Sequence, residues 1–233
     1  YWLMRELHDN GSARDRSEKA NWQALIPNFG ESVAQEYRDA ALTHWRRYIP
    51  PLGSEGGKSN IVTWSLIFGM AGLEIEAGEV AEFPANLTTE EARLALRYIT
   101  WQLNRFPTWF ERMYHAFPDL VEEAVTKELL WELNHTGSDE PMHYILYDLV
   151  YHAPWLHARI APAILEWVEA NPSNIQASRH YCLHILVNGG VDVERLAELA
   201  SHQIAQATDL NTIAWWYALR VDCDPKGSIP ELE

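Results

Sequence analysis

The feature that most constrains this chain is helical periodicity from end to end, broken only by short Pro, Gly and Asn turns. After Thr88-Thr89-Glu90-Glu91, apolar residues recur at Ala92, Leu96, Ile99 and Leu103, which puts them on one helical face. Thr88 and Glu91 have capping-box spacing, in which each side chain satisfies a backbone N–H of the first turn. Ser173 and Gln176 repeat that spacing. Asp209 is placed to cap a helix carrying Ile213, Trp216 and Leu219. No β-branched alternation bounded by hairpin turns occurs. Helices are expected over roughly 1–9, 14–26, 30–48, 60–77, 89–104, 107–115, 118–134, 141–152, 155–170, 174–187, 192–206 and 210–221.

The breaks between them are short: Asn10-Gly11-Ser12, Pro50-Pro51, Phe83-Pro84, His135 to Ser138, Asn171-Pro172-Ser173 and Asn188-Gly189-Gly190. Such connections favour antiparallel neighbours. Pro107-Thr108-Trp109 and Pro154-Trp155 each start a helix with a proline, whose missing N–H costs nothing there, followed by a tryptophan. The two prolines stand 47 positions apart, within the range of HEAT and armadillo helix-pair repeats. The expected fold is all-α: an α-solenoid of antiparallel helix pairs, one helical-repeat domain over 1–233. The alternative is a compact irregular helical domain.

Charge narrows the partners. The chain carries 18 Lys and Arg against 33 Asp and Glu, a net −15. Phosphate backbones and anionic membranes need clustered cations, so nucleic acid and membrane are disfavoured and a neutral or basic protein partner fits. The longest apolar run, Ile61 to Leu73, is too short to span a bilayer. Cys182 and Cys223 make no disulfide framework and read as reduced thiols of a cytoplasmic protein. The chain opens on amphipathic residues at Tyr1 without a signal-peptide pattern, and reads as a piece of a longer polypeptide.

Several stretches imitate chemical motifs. Pro51 to Ser59, PLGSEGGKS, resembles a phosphate-binding loop, but the first glycine should be at 52, where Leu52 stands. Pro50-Pro51 also excludes the buried strand that such a loop follows. An exposed inter-helix loop over 49–59 is expected, with Ser59 or Asn60 capping the next helix. Glu132-x-x-His135 and Glu140-x-x-His143 have di-iron ligand spacing, and His180 and His184 have the spacing of a zinc pair. The first four flank a turn, where capping is the simpler role. There is no Gly-x-Ser-x-Gly elbow. Glu74, Glu76, Glu79 and Glu82 read as a solvated acidic face. No catalytic residue and no cofactor are assigned.

The 11 Trp and 10 Tyr are an ample supply of core and binding anchors. Two patches stand out for partner binding: Trp45, Arg46, Arg47 and Tyr48, and the adjacent Trp215 and Trp216, which point about 100° apart on a helix.

The phrase His44-Trp45-Arg46-Arg47-Tyr48-Ile49-Pro50-Pro51-Leu52, with the helix Trp64 to Ala77 that ends in Gly72-Leu73-Glu74-Ile75-Glu76-Ala77, resembles HEAT-like helical segments of very large bacterial proteins. Some of these carry a STAND-type nucleotide-switch domain elsewhere. The resemblance covers about residues 40–135 and implies a sensing or scaffolding segment, with nucleotide chemistry outside it. The functional expectation is a non-catalytic interaction or sensor scaffold that binds protein through an acidic, Trp- and Tyr-bearing surface. The alternative is a helical metal-dependent hydrolase using the Glu and His residues above.

Overall fold

The computed structural model describes residues 2–9, 19–57, 61–102, 105–135, 144–171 and 178–228. Every regular element among them is helical. The sequence reads as one domain, but the chain gathers into two compact units, Tyr1–Glu128 and Leu129–Glu233. No helix among the described residues is long and apolar enough to cross a membrane.

The first unit opens with α1 (Trp2–Asp9), a 3-10 turn (Trp22–Leu25) and α2 (Ile26–Phe29). The helix expected over 14–26 is therefore a 3-10 turn and then a short α-turn in its described part. Gly30, at φ 81°, stops α2 and starts α3 (Glu31–Trp45). α4 (Trp64–Glu79) begins four residues later than expected, because Thr63 is extended and its hydroxyl accepts the Leu66 N–H. The expected caps Ser59 and Asn60 lie outside the described residues.

α3 packs on α4 through glycine. A Cβ on Gly72 would overlap the Ala41 carbonyl, and one on Gly69 would overlap the Tyr98 ring. Gly72 thus sets the close approach of α3 and α4, and Gly69 makes room for the Tyr98 ring. α5 (Thr89–Leu96) starts with the complete capping box: Thr88 Oγ1 accepts the Glu91 N–H, and Glu91 accepts the Thr88 N–H. The helix expected to reach 104 stops at Leu96 and tightens into a 3-10 turn at Ile99–Trp101. There the buried Tyr98 hydroxyl sits 3.1 Å from the carbonyl oxygens of both Trp45 and Tyr48. α6 (Phe110–Ala116) and α7 (Pro118–His135) follow, and the unit boundary falls inside α7.

The second unit continues with α8 (Leu146–His152), a 3-10 turn led by Pro154, and α9 (His157–Ala170). α10 (Arg179–Asn188), α11 (Val193–Gln206), α12 (Leu210–Cys223) and α13 (Pro225–Ser228) complete it. The Ser173 and Gln176 capping pair lies outside the described residues. Asp209 caps α12 as its position predicts, accepting the N–H groups of Asn211 and Thr212 at 3.1 and 2.9 Å. α9 packs on α10 and α11 on α12. A Cβ on Gly189 would meet Ala161 and the His157 carbonyl, so α9 and α10 touch closely where α10 ends. His157 is buried and its Nε2–H donates to the Leu149 carbonyl at 2.9 Å, tying α9 to α8. Burial lowers its pKa, which disfavours the charged ring.

Candidate functional sites

The two sequence-predicted partner patches fare differently. In the first unit Trp45 is fully buried, and its indole N–H donates to Glu76 Oε2 at 2.8 Å. Arg46 lies over the Trp45 ring and bonds both oxygens of Glu76 at 2.6 Å, while its Nε–H reaches Glu91. Glu76 is 5% exposed, so it is an internal counter-ion and not part of a solvated acidic face. Its neighbours on α4 are engaged too: Glu79 holds Trp22 and Arg38, and Glu74 accepts from Thr108. Trp45 is therefore a core residue and Arg46 is tied to Glu76 and Glu91, where the sequence places both on a partner surface. Tyr48 is half-buried and stacks on His44, and only Arg47 of the four is exposed.

The phosphate-loop mimic is a wall, not a free loop, over the residues described. Pro50, Leu52 and Gly53 are buried, and only Ile49, Glu55 and Gly56 are exposed. Ser54 donates its hydroxyl and its N–H to Glu128. Glu55 pairs with Arg97 at 2.6 Å and Lys127 at 3.3 Å. Hydrogen bonds from Arg97, then its charge and that of Lys127, hold the Glu55 carboxyl at about 2. Gly56, at φ 77°, makes the turn that a side chain would strain. The wall closes one side of an apolar cleft of about 370 Å³ floored by Leu94, Ile99, Leu120 and Ala124. Lys58 and Ser59 lie outside the described residues.

In the second unit the picture reverses. Trp216 is fully buried and Trp215 is 44% exposed, so one of the pair serves the core and the other faces out. Trp215 stacks on His180 with ring centroids 6.1 Å apart. His180 contacts Tyr181, and Tyr181 meets Tyr147 and Tyr151 edge-on at 6.0 and 6.3 Å. Tyr147 and Tyr151, one helical turn apart on α8, contact each other at 4.7 Å. Five rings from α8, α10 and α12 thus run in one line. Tyr151 is 55% exposed and Tyr147 is 39% exposed. The three tyrosines were missed at the level of sequence. The i, i+4 pair Tyr147 and Tyr151 was the available signal.

The metal-spacing residues do not converge among the described residues. Glu132 is buried, and its two oxygens accept the N–H groups of Tyr144, Ile145 and Leu146 at 2.9, 2.7 and 2.9 Å. It caps α8 from another helix, as Ile145 at the cap position has no side-chain acceptor. Burial still outweighs those three bonds and raises its pKa. His135 stacks on Trp131 and its Nδ1–H donates to the Trp131 carbonyl. Glu140 and His143 lie outside the described residues. His180 and His184 are both exposed and both line a cavity of about 230 Å³ between α10 and α12. Among the described residues no three His, Cys, Asp or Glu side chains are grouped to hold a metal ion. Cys182 and Cys223 are free thiols, and burial pushes Cys182 up to about 12.

No protein-family model, no curated protein and no solved structure matches this chain.

Proposed function

We propose that the chain is a non-catalytic interaction module that binds a basic segment of a partner protein through the aromatic face of its second unit. The observation that carries this reading is the line of rings from Tyr147 to Trp215 across three helices, with its ends exposed. Tyr and Trp give broad contact area at small entropic cost, and their faces attract Lys and Arg by about 0.5–1 kcal/mol at exposed sites. Residues 129–233 hold 14 acidic side chains against 5 basic ones, so the field around the rings draws cations. The packing of chain neighbours, α9 with α10 and α11 with α12, supports HEAT-like helix-pair repeats within this unit. On the same reading the chain is a scaffold or sensor segment of a larger cytoplasmic bacterial protein, with any nucleotide chemistry carried elsewhere.

The test is fluorescence anisotropy with labelled peptides of matched length and graded net charge. Basic peptides should bind, and added salt should weaken them. The double variant Tyr151→Ala/Trp215→Ala should bind them about tenfold more weakly or worse, with an unchanged helical circular dichroism spectrum. Equal binding of acidic and basic peptides, or unchanged affinity in the double variant, would overturn the reading.

A further inference from the structure

This inference rests on the partner-binding reading of the second unit and gives it a ligand chemistry. The cavity between α10 and α12 is built from two helical stripes. On α12 they are Trp215, Ala218, Leu219 and Asp222, at i, i+3, i+4 and i+7. On α10 the stripe begins at His180, continues through Leu183, His184 and Val187, and ends at Asn188. His180 stacks on Trp215, so the N-terminal ends of the stripes meet. The C-terminal ends, Asn188 and Asp222, therefore share the other end, about 10 Å away at 1.5 Å per residue.

The lining changes character along that length. One end is aromatic. The middle holds Leu183, Val187 and Leu219 with the His184 ring among them, and Ala218 leaves the room there. The far end presents acceptors: the Asp222 carboxylate, and the Asn188 amide oxygen, since the Asn188 amide nitrogen already donates to the His184 carbonyl at 2.7 Å. A long side chain with an apolar stem and a cationic head matches this order. A planar guanidinium meets a carboxylate with two N–H groups, which an ammonium does not.

We propose that this cavity is a slot for one arginine side chain of the partner protein. Its stem lies against Ala218 and Leu219, and its head bonds Asp222. The slot adjoins the ring line at Trp215, so one basic segment reaches both.

The test uses ¹⁵N-labelled full chain and three small probes: the N-acetyl amides of arginine, lysine and norleucine. Arginine should shift the Trp215 indole N–H and the Ala218 amide saturably, with a dissociation constant on the order of millimolar. Lysine should bind more weakly, and norleucine should give no saturable shift. Asp222→Asn should weaken arginine by about fivefold at most, the upper size of an exposed charge pair. That change eases a helix C-terminus by removing a negative charge, so misfolding would not explain the loss. Ala218→Met should abolish the saturable shift by filling the slot while keeping every ring and acid. Equal shifts from norleucine, or arginine binding unaltered in both variants, would overturn the proposal. Basic peptides that need Tyr151 and Trp215 but ignore Ala218→Met and Asp222→Asn would sink the slot and leave the binding face standing. Arginine binding without any basic-peptide binding would do the reverse.

Discussion

The indole N–H of Trp45 donates to Glu76 at 2.8 Å across 31 residues of sequence, and both side chains are buried. The bond joins α3 to α4, and Arg46 closes over it from the side. A buried carboxylate is tolerated only where donors replace its water. Trp45→Phe keeps the ring and deletes one donor. It should cost about 1–3 kcal/mol in urea denaturation, the penalty for an under-satisfied buried acceptor. Basic-peptide affinity should not change, because Trp45 does not reach a partner. An affinity loss without a stability loss would return Trp45 to the surface role that the sequence suggested.

The Glu55 ion pair sets an acid limit on the first unit. Its carboxyl sits at about 2, below the ordinary 4.5, because Arg97 and Lys127 hold the charged form. A depressed folded-state pKa gives stability that is complete above the unfolded value and is lost as pH falls through the folded one. The wild type should therefore lose more stability than Glu55→Gln between about pH 4.5 and 2, measured by urea midpoints at each pH. At neutral pH the gap should be small, since the pair is solvent-exposed. Parallel pH profiles would mean that the pair adds nothing.

Two glycines of α4 should respond to alanine with opposite signs. At Gly72 a Cβ would overlap the Ala41 carbonyl, which belongs to backbone and cannot swing away. Gly72→Ala should push α3 from α4 and cost about 2 kcal/mol or more, in the range of overpacking. At Gly78 a Cβ meets nothing within 4 Å, inside the same helix. Gly78→Ala should add about 0.5–1 kcal/mol through the lost freedom of the unfolded chain. Thermal denaturation of the two variants side by side decides it.

Local chemistry was legible in the sequence, and distant partners were not. Thr88, Glu91 and Asp209 act within four residues, so their spacing alone announced their caps. The start of α4 is not fixed by sequence, because Thr63 competes for the cap with Ser59 and Asn60 just upstream. The break after Leu96 needs Tyr98 turned toward the carbonyls of Trp45 and Tyr48, some 50 residues back. Trp45 looked like surface because His44, Arg46 and Arg47 flank it. The carboxylate that draws Trp45 and Arg46 inward lies 30 residues away and was read as one of a solvated row. At Trp215 and Trp216 periodicity showed that the two faces differ, but only the packing of α12 tells which is inside. The aromatic line joins three helices, and no single helix displays it.

Glu132 has a further consequence. Its carboxylate fixes the first N–H groups of α8 directly from the end of α7. The direction of α8, and with it the seat of Tyr147 and Tyr151, is then written by one side chain and not by the length of chain between the two helices. Three backbone donors of one helix thus answer to a single acceptor on another. The aim of the two rings is held by a carboxylate that no shorter or neutral side chain replaces, which makes Glu132 a position intolerant of substitution although it touches neither ring.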